Sequence, residues 1–232
     1  MRRAILSLTL MPLLLLGATS PANASGLDLR VGAFIPSANS NLFDDDEDLY
    51  FVSKSDWVGV FGGAEFNMVV ARNVEMAFHV DGYARTLDTS YRDWTWPDGS
   101  DIYQTLRFEV VPMGVTLQFV PTDKRTKVAP FVGGGVDLLY YKYEEWGDFI
   151  DFWDPDHTVY SDEFYSDGVA FGFHAVGGVR VYFNRDFAFV LRGSYQWGKA
   201  TMGQDFAANE PGLENRIDLG GPSVTAGVHI RF

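Results

Sequence analysis

Eight segments of this chain carry apolar residues on every second position, and that spacing constrains the fold more than any other feature. A period of two describes extended strands with one apolar and one polar face. The last segment shows it plainly: Val224, Ala226, Val228, Ile230 and Phe232 alternate with Ser223, Thr225, Gly227, His229 and Arg231. The segments lie near 26–36, 56–70, 74–88, 102–120, 128–143, 168–183, 187–202 and 222–232. Most exceed the usual soluble strand and suit a tilted strand crossing a bilayer. Helical periodicity is read nowhere outside the N-terminal 24 residues, so the expected fold is all-β.

The connections alternate in length. Residues 71–73, 121–127 and 184–186 are short, while 37–55, 89–101, 144–167 and 203–221 are long. Eight antiparallel strands joined this way form an up-and-down barrel with both termini on the short-turn side, the asymmetry of transmembrane barrels. Ala71-Arg72-Asn73 and Asn184-Arg185-Asp186 read as three-residue hairpin loops whose third residue tolerates the left-handed conformation. Facing Val70 with Val74 then sets Glu65 opposite His79 and Gly63 opposite Asp81. Facing Phe183 with Phe187 sets His174 opposite Gln196 and Gly178 opposite Arg192. In the 102–120 segment the alternation changes phase between Leu106-Phe108-Val110 and Met113-Val115-Leu117-Phe119, which predicts a β-bulge near Val111-Pro112.

Arg2 and Arg3, an apolar run from Ala4 to Leu16 and Ala22-Asn23-Ala24 together have the form of a cleaved secretory signal peptide over 1–24, leaving one domain over 25–232. Its removal takes away two positive charges and moves the formal net charge from −13 to −15. Such acidity argues against nucleic acid as a partner. The chain has no cysteine, so disulfides and thiol chemistry are absent.

Alternation alone fits either a soluble barrel with an apolar interior or a membrane barrel with an apolar exterior. The polar face decides for the second. It carries Asp28, Arg30, Glu65, His79, Asp81, Arg85, Arg107, Glu109, Asp137, His174, Arg180, Arg192, His229 and Arg231, interspersed with glycines. Charges of both signs beside small residues fit a crowded lumen better than a solvated face. The other face is bulky, with Tyr140, Phe183, Phe187, Tyr195 and Trp197 near strand ends, where aromatic girdles sit.

Taken together, these features resemble the small outer-membrane β-barrel proteins of Gram-negative bacteria, the superfamily of the OmpA transmembrane region, OmpX and OmpW. The resemblance implies insertion into the outer membrane beside lipid and lipopolysaccharide. It also implies that Val228, Ile230 and Phe232 form the C-terminal signal read by the barrel-assembly machinery.

An eight-stranded barrel is just wide enough to be filled by side chains, so the inward ionisable residues read as a salt-bridged polar plug. The expected role is non-enzymatic: envelope structure, or surface interaction through acidic aromatic loops. A narrow channel for small, hydrophobic solutes is the alternative, and lipid modification a third. For the third, Ser194 lies diagonal to His174 and Glu65 opposite His79, but no complete set of nucleophile, base and orienter is legible. No motif calls for a cofactor or a metal. The 144–167 stretch holds nine acids and no Lys or Arg, and 37–55 includes Asp44-Asp45-Asp46-Glu47-Asp48. Asp148, Asp151, Asp154 and Asp156 could collect divalent cations, although Val159 stands where an EF-hand needs glycine. The aromatics among them, Trp146, Phe149, Phe152, Trp153, Tyr160, Phe164 and Tyr165, would either extend a hairpin above the membrane or offer a surface to a partner.

Overall fold

A computed structural model describes residues 25–122, 126–203, 206 and 216–232; the signal-peptide reading lies outside them. Eight long strands close a ring. They are β1 (Ser25–Phe34), β2 (Gly59–Ala71), β3 (Val74–Thr95), β4 (Asp101–Phe119), β5 (Val128–Ile150), β6 (Val159–Tyr182), β7 (Phe187–Thr201) and β9 (Gly221–Arg231). Each pairs antiparallel with the next, and β9 closes on β1. A short β8 (Arg216–Asp218) adds to the far end of β7. Closure leaves no long edge unpaired, which is what lets a sheet cross a bilayer.

The two hairpin registers follow the alternation. Glu65 pairs with His79 and Gly63 with Asp81; His174 pairs with Gln196 and Gly178 with Arg192. The turns differ from expectation in detail. Asn73 takes the left-handed conformation (φ 62°), and the register slips between Val69 and Ala71. Asp186 does not take it; instead the Asn184 side chain accepts from the N–H groups of Asp186 (2.9 Å) and Phe187 (2.7 Å), an Asx-type turn that needs no positive φ.

Several boundaries are corrected. β3 runs to Thr95, and β5 and β6 pair without a slip from Val128–Val181 to Ile150–Val159. Most of 144–167 is therefore hairpin. At roughly 3.3 Å per residue, such strands stand well above an apolar band about 25 Å tall. Nor is the chain purely β. Residues Asn41–Leu49 form helix α1, and Lys54–Trp57 a 3₁₀ turn, η1. The acid run of the long 37–55 connection turns one side inward, burying Phe43 and Asp46.

The expected bulge in β4 is absent: its pairings with β3 and β5 stay in step past Pro112. Even-numbered residues from Ile102 to Gln118 face inward throughout. Polarity changes sides, not the strand. Around the membrane band the exterior is apolar, with Leu117, Phe119, Val136, Leu138, Phe171, Phe173 and Phe189 exposed. Beyond that band the exterior becomes polar and the interior apolar.

Candidate functional site

The interior has two tiers. On the long-hairpin side, Phe34, Phe43, Trp57, Phe61, Tyr83, Leu106, Phe108, Leu139 and Tyr143 form one buried cluster with residues of β8 and its flank, Ile217 and Leu219. Phe43 and Trp57 come from the β1–β2 connection, folded into the barrel mouth, and their rings meet Phe108 edge-on at 5.6 and 6.1 Å. Tyr83 donates its hydroxyl to the Trp57 carbonyl. This connection is a lid made of the chain itself.

A polar helix face is drawn into that apolar mouth at one point. Tyr143 donates to Asp46 Oδ2 at 2.7 Å, with Glu145 beside both. Burial, then the neighbouring Glu145 charge, pushes the Asp46 carboxyl well above its ordinary range, against the opposing Tyr143 bond. Burial pushes Glu145 up to about 7.

On the short-turn side the interior is ionic. Arg30 donates to Glu65 (3.1 Å) and to both oxygens of Asp81 (2.9 and 3.0 Å). Glu65 also accepts from Arg192 and from Gln118 (2.7 Å). Arg180 donates to Glu75 (2.6 Å), Asn67 (3.1 Å) and Gln118 (3.2 Å), lies 3.6 Å from Asp28, and stacks on Phe131. Asp28 in turn takes His229. Buried charges are tolerable only when paired in this way.

Between the tiers stands a separate group. Asp137 Oδ2 lies 2.8 Å from His174 Nδ1, and its Oδ1 lies 3.2 Å from His79 Nε2. Thr116 Oγ1 is 2.8 Å from His174 Nε2 and 3.5 Å from His79 Nδ1. A small cavity of about 20 Å³ adjoins His79, Asp137 and His174. At the short-turn end a vestibule of about 750 Å³ is lined by Asn67, Glu75, Arg180, Tyr182, His229 and Arg231, among others; Arg180 forms part of its floor.

Of the residues read as lumenal, Asp28, Arg30, Glu65, His79, Asp81, Asp137, His174, Arg180, Arg192 and His229 are buried together. Arg231 lies at the rim, its guanidinium 4.1 Å from the centre of the Tyr182 ring. Three assignments are corrected. Arg107 and Glu109 point outward and pair with each other, next to Lys142 and Glu144, because β4 keeps its phase where a bulge was expected. Arg85 shares the inward phase, yet lies exposed at the mouth and donates to the Asp56 carbonyl at 2.9 Å; there β3 has outrun β2. The assembly-signal residues Val228 and Phe232 are exposed on the outer face, and Phe232 and Ser25 exchange backbone hydrogen bonds at the closing seam.

The catalytic candidates do not assemble. Glu65 faces His79 in register, but its carboxylate goes to Arg30 on the neighbouring β1 and to Arg192 of β7. Ser194 shares a 2.6 Å hydrogen bond with Ser223. Among the described residues, Asp148, Asp151, Asp154 and Asp156 do not converge as cation ligands; Asp151 accepts from the Trp153 N–H (2.9 Å), Asp154 from the Asp156 N–H (3.2 Å), and Asp148 from the Ser161 hydroxyl across the hairpin. Sequence reasoning passed over Asn67, Glu75, Thr116 and Gln118, although each shares its strand's inward parity.

Residues 8–232 match the family described as "Outer membrane protein beta-barrel domain". The chain belongs to that family. Its relatives are bacterial outer-membrane proteins. Among solved structures it is similar to the outer membrane protein OprG from Pseudomonas aeruginosa, at 12% identity and a TM-score of 0.56, covering 91% of this chain and 96% of that one. It is also similar to Neisserial surface protein A (11% identity, 91% and 98% coverage, TM-score 0.49). A third is the E. coli outer membrane protein W (15% identity, 91% and 98% coverage, TM-score 0.40). The likeness to OprG shows the shared barrel fold. No curated protein sequence matches.

Proposed function

We propose that this member of the outer-membrane barrel family is a closed, non-enzymatic barrel acting in envelope structure or surface interaction through its extracellular hairpins. The observation that carries the reading is the contrast between a filled interior and an exposed acidic aromatic crest. Trp153 is 85% exposed at the β5–β6 tip, with Phe152, Tyr160 and Tyr165 also exposed. Trp94 of β3 packs on Phe152 (5.6 Å) and His157 (4.8 Å), bracing two hairpins together. Such a ridge, rich in carboxylates, suits a basic partner surface, with aromatic rings supplying contact area.

Arg107 and Lys142, each held by a carboxylate, would in this reading stand just beyond the apolar band at headgroup level. There they would meet lipopolysaccharide phosphates, and the nearby acids would meet divalent cations. Assembly would use Val228, Ile230 and Phe232, which are ready on the lipid face.

The test joins two measurements on protein reconstituted in lipid. Replacing residues 151–158 by a two-residue turn should preserve the heat-modifiable barrel and abolish salt-sensitive binding to Lys/Arg-rich peptides. Retention of that binding sinks the reading. A solute path is the second reading, favoured by the vestibule above Arg180. It predicts reproducible unitary openings in planar bilayers, altered in R180A or R192A. Lipid modification would appear as a mass change in lipid A on expression.

A further inference from the structure

We propose that His79, Asp137 and His174 form a binding site for one divalent first-row transition-metal ion inside the barrel. One ligating atom from each lies within 4.8 Å of the other two, and all three residues are buried. Bonds of roughly 2.0–2.2 Å to a single ion would require this set to draw in by about 1 Å, within reach of side-chain adjustment. Two imidazoles and a carboxylate are a donor set for zinc and its neighbours, and disfavour magnesium or calcium.

The strands make room for this group. His79, Gly114 and Asp137 form one cross-strand row over β3, β4 and β5, and Gly135 pairs with His174 on β6. A Cβ on Gly114 would stand 2.0 Å from Asp137 Oδ1 and 2.9 Å from His79 Cε1; one on Gly135 would stand 2.7 Å from His174 Cε1. The two glycines thus keep clear the space in which the ligands converge.

Three features are left over if the group is only an ion pair. Asp137 Oδ1 is close to His79 Nε2, yet out of line for a hydrogen bond, and makes none. A buried carboxylate oxygen without a partner is costly. Second, with His174 donating to Asp137 as a neutral ring, Thr116 gives its one proton to the outer nitrogen of His174, and a His79 protonated on Nε2 has an outer nitrogen with no proton from Thr116. Binding a metal through the inner nitrogens moves both ring protons outward, onto a hydroxyl oxygen with two lone pairs, the usual outer partner of a ligating histidine. Third, Arg30, Arg180 and Arg192 go to Asp28, Glu65, Glu75 and Asp81, with His229 also at Asp28, while among the described residues the partners of Asp137 are two imidazoles. A divalent ion between those imidazoles would give the Asp137 carboxylate a positive partner. The 20 Å³ cavity alongside has room for about one water, a fourth ligand.

The aromatic tier and the Arg180–Gln118 layer close off both sides, so the ion would enter as the barrel folds. The full chain is therefore refolded with Zn²⁺ or Co²⁺ and then passed through chelator. The expected result is about one equivalent retained, a visible Co²⁺ absorption band, and zinc-edge X-ray absorption showing two imidazoles. H79Q, D137N and H174Q should each bind at least tenfold more weakly, while H229Q, at the Asp28 pair, retains the ion. Wild type holding under a tenth of an equivalent, or showing no imidazole at the zinc edge, overturns the site even where a variant fails to fold. So does loss of the ion in H229Q equal to that in H174Q. In those cases a protonated histidine carries the charge.

Discussion

The Tyr143 hydroxyl reaches 2.7 Å to Asp46 Oδ2 across 97 positions of sequence, tying helix α1 of the β1–β2 connection to the wall of β5. It is a buried polar contact in a largely apolar mouth, and it sits beside Glu145. Both carboxyls are held above their ordinary values by burial.

From this follows a pH dependence. An acid whose folded pKa is raised binds more protons in the docked state than in the undocked one, so docking weakens as pH rises. The window opens at the ordinary carboxylate value and extends through the raised folded values of Glu145, about 7, and Asp46. Hydrogen exchange over residues 41–49 should quicken severalfold across that window and level off above it. E145Q should reduce the slope and D46N/E145Q should remove it; an unchanged slope in the double variant refutes the assignment.

Glu65 is the shared acceptor of Arg30 and Arg192. E65A leaves the Arg192 charge buried without its carboxylate, and should cost roughly 3–5 kcal/mol in urea unfolding of the reconstituted barrel. The double variant E65L/R192L should recover much of that, since Arg30 keeps Asp81. A double variant no better than E65A would mean that packing dominates.

Trp57 is buried to 1% exposure in the mouth and joins η1 to Phe43, Phe108 and Tyr143. W57A should cost about 3–5 kcal/mol of lid stability and make the 37–58 segment protease-sensitive while the strands stay protected. Equal protection of the segment in both proteins counts against a lid held by this side chain.

Trp153 gives the opposite case. At 85% exposure, W153A should change stability by no more than about 0.5 kcal/mol, yet weaken binding of a basic partner. The informative measurement is binding with stability unchanged; a large stability loss would assign Trp153 to folding.

The alternation reaches far. In β7, Arg192 and Gln196 must share the inner face once Phe189 and Leu191 are outside, and a three-position loop then fixes their partners in β6. It misleads in β4, where Leu106 and Phe108 share the inward parity of Thr116 and Gln118. Polarity changes along the axis there, and a rule tied to one apolar side reads the change as a slipped residue. The 37–55 acids mislead similarly: a nine-residue helix with Phe43 and Asp46 on its inner side is too short to stand out.

What the sequence determined by itself is the number and order of the eight barrel strands, and the facing of residues in the membrane band. Those depend on neighbours two apart in sequence or directly across a hairpin, and period two leaves little freedom. What only the tertiary structure decided is who meets whom across the lumen. Glu65 turns from its register partner His79 to Arg192 of β7, His79 turns past β4 to Asp137, and Asp46 finds Tyr143. These choices depend on curvature and closure, which bring together side chains that no local spacing relates.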